Sequence, residues 1–277
     1  MTTTFVAVPG GRLHTLDEGN PSDPAILLLH AAVADLRAWD DVVPPLVDAG
    51  YRVVRYDARG FGETTTEDVD YSTRADSLAV LDAFGIGRAA FVGNSRGGQI
   101  AFDTAIEFPE RVVAVVGVGA GLGGFEGEST PEEIAVFEEG EALESAEEID
   151  VDALVDLETR VWLDGIGQPE TRLPAAIRER FRAMDAAIYA PGRVTGRHIS
   201  LKPPAGDRLS DLRCPVLAIA GAFDVSDVAQ TARHLEENAP DARALIMPGV
   251  AHMIGMEAPA ELAALIVDFL APLPRWS

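Results

Sequence analysis

A serine set between glycines is the residue with the clearest chemical potential in this sequence. Gly93, Ser95 and Gly97 fit the pattern G-x-S-x-G, with an apolar run before it and a helical pattern after it. A serine on such a strained strand-to-helix turn projects out of the sheet, and residues without a Cβ let the neighbouring backbone pass close to it. The pattern predicts a nucleophile, although the pentapeptide alone also fits an ordinary serine in a tight turn.

Two further residues could activate that serine. A serine hydroxyl attacks a carbonyl only with a base in hydrogen-bond reach and a carboxylate that orients the base. Asp224 and His252 each follow an apolar strand run, as Ser95 does. Loops beyond the carboxyl ends of parallel strands meet at one edge of the sheet, so we predict a Ser95, Asp224 and His252 triad. Asp227 is the rival carboxylate, and we interpret it as the start or N-cap of the next helix.

Acyl transfer also needs donors for the oxyanion. Two backbone N–H groups usually hold the charge that develops on the carbonyl oxygen. Arg96, directly after the nucleophile, is predicted to supply one, and Ala32, after the apolar run 25–29, the other. His30 is interpreted as a brace for that loop. The Arg96 side chain has two interpretations: it holds a substrate carboxylate, or it pairs with one of the chain's many acids.

The elements that position these residues alternate between strands and helices. Apolar runs of the fully buried type alternate with amphipathic helical patterns, which predicts an α/β fold with a mostly parallel sheet flanked by helices. From Gly121 the buried strand runs stop, and residues 131–200 carry three helical patterns, the first strongly acidic. We therefore predict a core of residues 1–120 and 206–277, and an inserted helical cap, here called the lid, over residues 121–205.

Composition excludes several classes of function. The 277 residues carry a net charge of −23, which argues against nucleic acid and anionic membranes as partners. No apolar run reaches the roughly 18 residues of a membrane span. The N-terminus lacks the pattern of a secretion signal and the single cysteine, Cys214, is predicted to lie in the core, which favours a cytoplasmic location. Scattered histidines and unpartnered glutamates predict no metal and no cofactor.

The motifs together resemble the α/β-hydrolase superfamily, in its helical-capped esterase and lactonase branch. The run 35–40 is also similar to the corresponding loop of 3-oxoadipate enol-lactonases. Many members have glycine where this chain has Ala31, and Met or Leu is common at Arg96. Dehalogenases and most epoxide hydrolases of this superfamily use an aspartate nucleophile, so Ser95 argues against both. The matching motifs are Leu27-Leu28-Leu29-His30, Tyr56-Asp57-x-Arg59-Gly60-Phe61-Gly62, Gly93-Asn94-Ser95-Arg96-Gly97-Gly98, Gly221-x-x-Asp224 and Ala251-His252.

These residues and this resemblance predict a serine hydrolase that cleaves a small-molecule carboxylic ester or lactone through an acyl-enzyme. Three alternatives stay open: a carbon–carbon bond hydrolase of a diketone-type substrate, a biosynthetic tailoring enzyme, and a ligand-binding, receptor-like member with little turnover. The sequence leaves the oligomeric state undetermined. The expected substrate contacts, which are also compatible with places in the hydrophobic core, are Trp162, Leu122, Phe125, Met184 and Met253.

Overall fold

The architecture is described for residues 2–276 of a computed structural model. Continuous apolar runs such as residues 25–29 and 112–118 form strands that are buried along their whole length, as strands covered on both faces must be. The described strands are β1 Thr2–Val8, β2 Gly11–Glu18, β3 Ala25–Leu29, β4 Arg52–Tyr56, β5 Thr65–Thr66, β6 Asp70–Tyr71, β7 Ala89–Asn94, β8 Val112–Val118, β9 Arg197–His198, β10 Val216–Gly221 and β11 Ala242–Met247.

The main sheet has the order β1-β2-β4-β3-β7-β8-β10-β11. Strand β1 forms an antiparallel hairpin with β2, and β2 pairs antiparallel with β4. From β4 to β11 every neighbouring pair is parallel. The short strand β5 adds to β2, and β6 pairs with β9 apart from the main sheet. The mostly parallel sheet that the sequence predicts is confirmed.

Helices cover both faces of this sheet. The helices are α1 Val43–Asp48, α2 Thr73–Ala83, α3 Arg96–Glu107, α4 Pro131–Glu144, α5 Val151–Glu158, α6 Ala175–Ala186, α7 Ser226–Asn238, α8 Ile254–Glu257 and α9 Pro259–Leu270. Leu27 and Leu29 of β3 point into one apolar cluster with α2, α3 and α7, whereas Ile26 and Leu28 point into the other with α1 and α9.

Helices α4, α5 and α6 lie within the lid. A capping box between Thr130 and Glu133 begins α4, and the second carboxylate oxygen of Glu133 accepts a hydrogen bond from the Ser226 N–H of the core at 2.6 Å. A third apolar cluster joins the lid to the core, because Phe181 and Met184 of α6 pack with Met253. Both contacts tie the lid to the core.

Two prolines shape the segment after β3. The pattern over residues 39–47 predicts a helix that Pro44 and Pro45 disturb, and the structure has a 3₁₀ turn over Leu36–Trp39 and then α1 from Val43. Pro44 and Pro45 occupy the first turn of α1, where a missing N–H costs no helical hydrogen bond. The proline pair thus marks the beginning of a helix.

No helix in the described part of the chain is both long and apolar enough to cross a membrane.

Candidate active site

Ser95 stands on a strained turn between β7 and α3. Its backbone φ is +55°, and within residues 2–276 no other non-glycine residue has a positive φ. A Cβ on Gly93 would lie 2.1 Å from the carbonyl carbon of Gly97, and a Cβ on Gly97 would lie 2.2 Å from the Leu29 carbonyl oxygen. Both positions therefore require glycine, and the crowding around them holds the serine in its unfavourable conformation.

Asp224 and His252 are in direct contact. The Nδ1 atom of His252 lies 2.9 Å from both carboxylate oxygens of Asp224, and their side chains are only 4% and 1% exposed. The Val225 N–H also donates to Asp224, at 2.8 Å, and fixes the carboxylate. With Nδ1–H donated to the carboxylate, Nε2 of the imidazole carries the free lone pair that a general base needs.

The rival carboxylate has another partner. Asp227 lies in the first turn of α7 and accepts a hydrogen bond from the Gly127 N–H. The N-cap of α7 is Val225, so Asp227 lies at the start of the helix, one of the two predicted places, and not at the N-cap. The strand β10 ends three residues before Asp224, and this short connection delivers Asp224, not Asp227, to the histidine.

Asn94 is a site residue that the sequence reasoning missed. Its side-chain amide donates to the Val118 carbonyl at 2.9 Å and to the His252 carbonyl at 3.1 Å, and the residue is buried. Because a buried amide needs partners, a polar residue at the end of an apolar strand was the available signal. Asn94 joins the nucleophile strand to the histidine loop.

The predicted oxyanion donors lie at the ends of neighbouring strands. Arg96 is the first residue of α3, and Ala32 lies exposed in the loop after β3. His30 braces that loop, because its Nδ1 contacts the Ala31 carbonyl at 2.7 Å while its Nε2 accepts from the Ala58 N–H at 3.0 Å. Burial, followed by the nearby Arg96 charge, lowers the pKa of His30, which keeps this imidazole neutral.

The Arg96 side chain makes no ion pair with any described residue. Its Nε and Nη2 atoms are buried and have no hydrogen-bond partner, and its guanidinium carbon lies 4.3 Å from the centroid of the Phe61 ring. Burial lowers the pKa of this guanidinium. The interpretation that Arg96 pairs with an acid therefore has no support in the structure.

The five expected substrate contacts divide into two groups. The Trp162 ring lies 4.7 Å from the His252 ring, and Met184 and Met253 belong to the apolar cluster between lid and core. Leu122 is buried in the main core, and Phe125 stacks on His234 of α7 at 4.2 Å. The structure brings Trp162, Met184 and Met253 to the histidine side of the site and gives Phe125 a partner elsewhere.

Trp162 also lines a cavity of about 310 Å³ between α4 and α5. It belongs to a π-helical turn, Thr159–Asp164, where the sequence pattern predicts a continuous α-helix over residues 151–162. Such turns change the direction of a side chain and often occur at functional sites. The turn places the indole between the cavity and His252.

Arg172 connects the lid to the histidine loop. Its guanidinium donates to the carbonyls of Leu163 at 2.5 Å and Gly249 at 3.1 Å, and it lies 2.6 Å from the buried Glu257 carboxylate. Glu257 in turn accepts from the Ala251 N–H at 2.8 Å. This network fixes the backbone immediately before His252 to the lid.

Within residues 2–276 no group of three or more His, Cys, Asp or Glu side chains is placed to hold a metal ion.

Comparison with known proteins identifies the fold. The family model for the alpha/beta hydrolase fold matches residues 24–142. Epoxide hydrolase B of Mycobacterium tuberculosis is 28% identical over 95% of this chain and 96% of its own length. Rhodomycin D methylesterase DauP of a Streptomyces strain is 29% identical over 90% of this chain and 91% of its own length.

A solved structure shares the whole fold. The enol-lactonase from Burkholderia xenovorans LB400 superposes with a TM-score of 0.76 at 24% identity, over 97% of this chain and all of the other. The sheet order, the glycine-rich turn after β7 and these matches show that the chain has the α/β-hydrolase fold. It is an enzyme of the α/β-hydrolase class.

Proposed function

We propose that this enzyme is a serine hydrolase that cleaves a carboxylic ester or lactone of a small molecule through a covalent acyl-enzyme. One observation carries the proposal. The buried His252 imidazole is held by both oxygens of Asp224 at the edge of the sheet where Ser95 projects from its strained turn. A histidine oriented by a carboxylate, at the same edge of the sheet as a half-buried serine, is the arrangement that nucleophilic acyl transfer needs.

The chemistry follows from these positions. The Ser95 Oγ attacks the carbonyl carbon while Nε2 of His252 takes its proton, and Asp224 stabilises the imidazolium that forms. The backbone N–H groups of Arg96 and Ala32 hold the negative carbonyl oxygen. His252 then gives the proton to the leaving alcohol. A water molecule, deprotonated by His252, attacks the acyl-enzyme and releases the acid.

A serine at the nucleophile position supports ester chemistry over epoxide opening. The Mycobacterium relative is named an epoxide hydrolase, and the Streptomyces relative is named a methylesterase. Most epoxide hydrolases of the superfamily carry an aspartate nucleophile, whereas this chain has Ser95. Ester and lactone carbonyls accept attack by an activated hydroxyl, and the two proposed N–H donors match the oxyanion that results.

The lid over residues 121–205 is proposed as the wall of the substrate pocket, above a core of residues 1–120 and 206–277. Trp162 is the leading contact, since its ring lies against His252 and borders the 310 Å³ cavity. Met184 and Met253 support the same wall from the apolar cluster beneath. Leu122 and Phe125 belong to the core cluster, which favours a structural role for both.

Hydrolysis of p-nitrophenyl esters of increasing acyl length tests this proposal. Ser95→Ala is expected to lower kcat by roughly 10⁴–10⁶-fold, because the acyl-enzyme cannot form. Ser210→Ala is the matched control, since Ser210 is exposed in a 3₁₀ turn of the core. A Ser95→Ala enzyme that keeps more than a tenth of the wild-type rate contradicts the mechanism.

If the wild-type enzyme hydrolyses none of these esters, it is treated with a fluorophosphonate probe. Labelling of Ser95 then indicates an activated serine with a narrower substrate, such as a lactone or a carbon–carbon bond. Absence of both turnover and labelling contradicts the proposed serine hydrolase and favours a ligand-binding protein.

A further inference from the structure

Arg96 holds a partly buried cation beside the proposed nucleophile. Two of its three guanidinium nitrogens, Nε and Nη2, are shielded from solvent and donate to nothing. The ionisable side chains that act on it most strongly are the phenols of Tyr71 and Tyr56, and the aromatic face of Phe61 lies beneath it. Buried N–H donors without acceptors cost free energy, so a fold retains them at a site where an acceptor arrives.

The other buried arginines show what is missing at Arg96. Arg52 pairs with Asp17, Arg55 with Glu18 and Asp40, Arg59 with Asp76, and Arg74 with Glu107. The chain has 45 acidic residues against 22 lysines and arginines, so acids are abundant. The lack of a partner at Arg96 is therefore a local property of the site.

We propose that the substrate carries a free carboxylate on its acyl part, and that the Arg96 guanidinium binds this carboxylate. The inference rests on the proposed function and narrows it to esters or lactones of dicarboxylic acids. Charge-assisted, bidentate hydrogen bonds between guanidinium and carboxylate are stronger than neutral ones. Arg96 also begins the twelve-residue helix α3, whose N-terminal dipole favours an anion.

The position of His252 indicates which part of the substrate lies on which side of the site, because His252 must deliver a proton to the leaving alcohol. The leaving alcohol receives this proton, so it lies on the side of His252 and Trp162, whose rings are 4.7 Å apart. The Arg96 side chain lies instead over Phe61, which meets His30 at 5.0 Å between the loops after β3 and β4. The acyl chain therefore extends towards Arg96.

Two esters of the same shape test the carboxylate site. Methyl hydrogen glutarate carries a carboxylate, and methyl 5-methylhexanoate carries an isopropyl group in its place. The readout is the ratio of kcat/KM for the acid to kcat/KM for the neutral ester, so any loss that both substrates share cancels. We expect wild type to favour the acid by roughly 10- to 100-fold, the range of a charge-assisted hydrogen bond of about 1.5–3 kcal/mol.

Three variants test whether Arg96 causes the preference for the acid over the neutral ester. Arg96→Met is expected to bring the ratio to about one or below, and Arg96→Lys, which keeps the charge without the planar fork, to an intermediate value. Arg88→Met removes the same charge from an exposed residue before β7, at the opposite end of the nucleophile strand, and is expected to keep the wild-type ratio. A wild-type ratio near one, or an unchanged ratio in Arg96→Met, overturns the proposal.

The outcomes separate this inference from the proposed function. Equal hydrolysis of both esters that depends on Ser95 leaves the esterase in place and removes the carboxylate site. Hydrolysis of neither ester counts against the proposed function. In that case, or if Arg96→Met fails to fold, thermal stabilisation of the Ser95→Ala protein by each ester tests the site without turnover. Stabilisation by the acid alone supports it, and equal stabilisation by both esters overturns it.

Discussion

At Ser95 the requirements of catalysis and of backbone conformation oppose each other. The Ser95 backbone has φ +55° and ψ −118°, a conformation that costs an ordinary residue of order 1–3 kcal/mol. The glycines on either side contribute no side chain and keep the turn closed. Catalysis requires a hydroxyl side chain at this position, whereas the positive φ favours glycine, which has no side chain. The residue is therefore expected to lower stability as it enables catalysis.

Ser95→Gly is expected to be more stable than Ser95→Ala by about 1 kcal/mol, because glycine adopts the positive φ without a Cβ penalty. In a chain of this size that corresponds to roughly 2–4 °C in Tm. Differential scanning calorimetry of the two inactive variants measures the difference directly. A more stable Ser95→Ala protein would show that the turn stores no strain.

The elements show where sequence patterns suffice and where they do not. Strands β3 and β8 occur over the apolar runs 25–29 and 112–118, because strands covered on both faces are continuous apolar runs. The π-helical turn at Trp162 and the two-residue strands have no such pattern, since they depend on packing between distant segments.

Some features of the candidate site were also predictable from local sequence patterns, whereas others depend on packing. Asp224 and His252 were predicted from their places after strands, and the structure places them in contact. The double hydrogen bond of Asn94 and the missing partner of Arg96 depend on the relative position of three loops, which no local pattern records.

The packing of α5 against α6 within the lid predicts a dependence on pH. Asp185 of α6 is fully buried, and burial together with the charge of Glu158 raises its pKa to about 9. The folded protein therefore holds this proton from about pH 4, where an unfolded aspartate ionises, up to about pH 9. Since the unfolded chain binds fewer protons in this window, the contribution of Asp185 to stability falls as the pH rises.

Asp185→Asn is expected to remove that dependence, because the amide stays neutral and can donate to Glu158. The Tm of the variant minus that of wild type should increase steadily between pH 5 and pH 9. Asp152→Asn, on an exposed position of α5, provides the comparison and should give a constant difference. A flat profile for Asp185→Asn would mean that Asp185 is ionised in the folded lid.

The whole molecule carries a net charge of −23 in 277 residues. Like charges at this density repel one another and favour expansion of the chain. Several surface arginines form exposed ion pairs, such as Arg197 with Asp68 and Asp70, but such pairs contribute little each. Self-repulsion is therefore expected to dominate the electrostatic part of stability.

Raising the KCl concentration from 0.02 M to 1 M is expected to raise Tm, because screening shortens the Debye length to about 3 Å. The measurement is thermal unfolding at pH 7.5, with sucrose as a neutral solute for comparison. A Tm that falls with salt would show that the surface ion pairs outweigh the repulsion.

The contact between Trp162 and His252 gives the protein an optical reporter at its candidate active site. The two rings lie 4.7 Å apart, so a ligand that enters between them changes the surroundings of the indole and with them its emission. The other two tryptophans, Trp39 and Trp276, are buried in the second core cluster and provide a steady background. The fluorescence of the unlabelled enzyme is therefore expected to change when a ligand displaces the indole from His252.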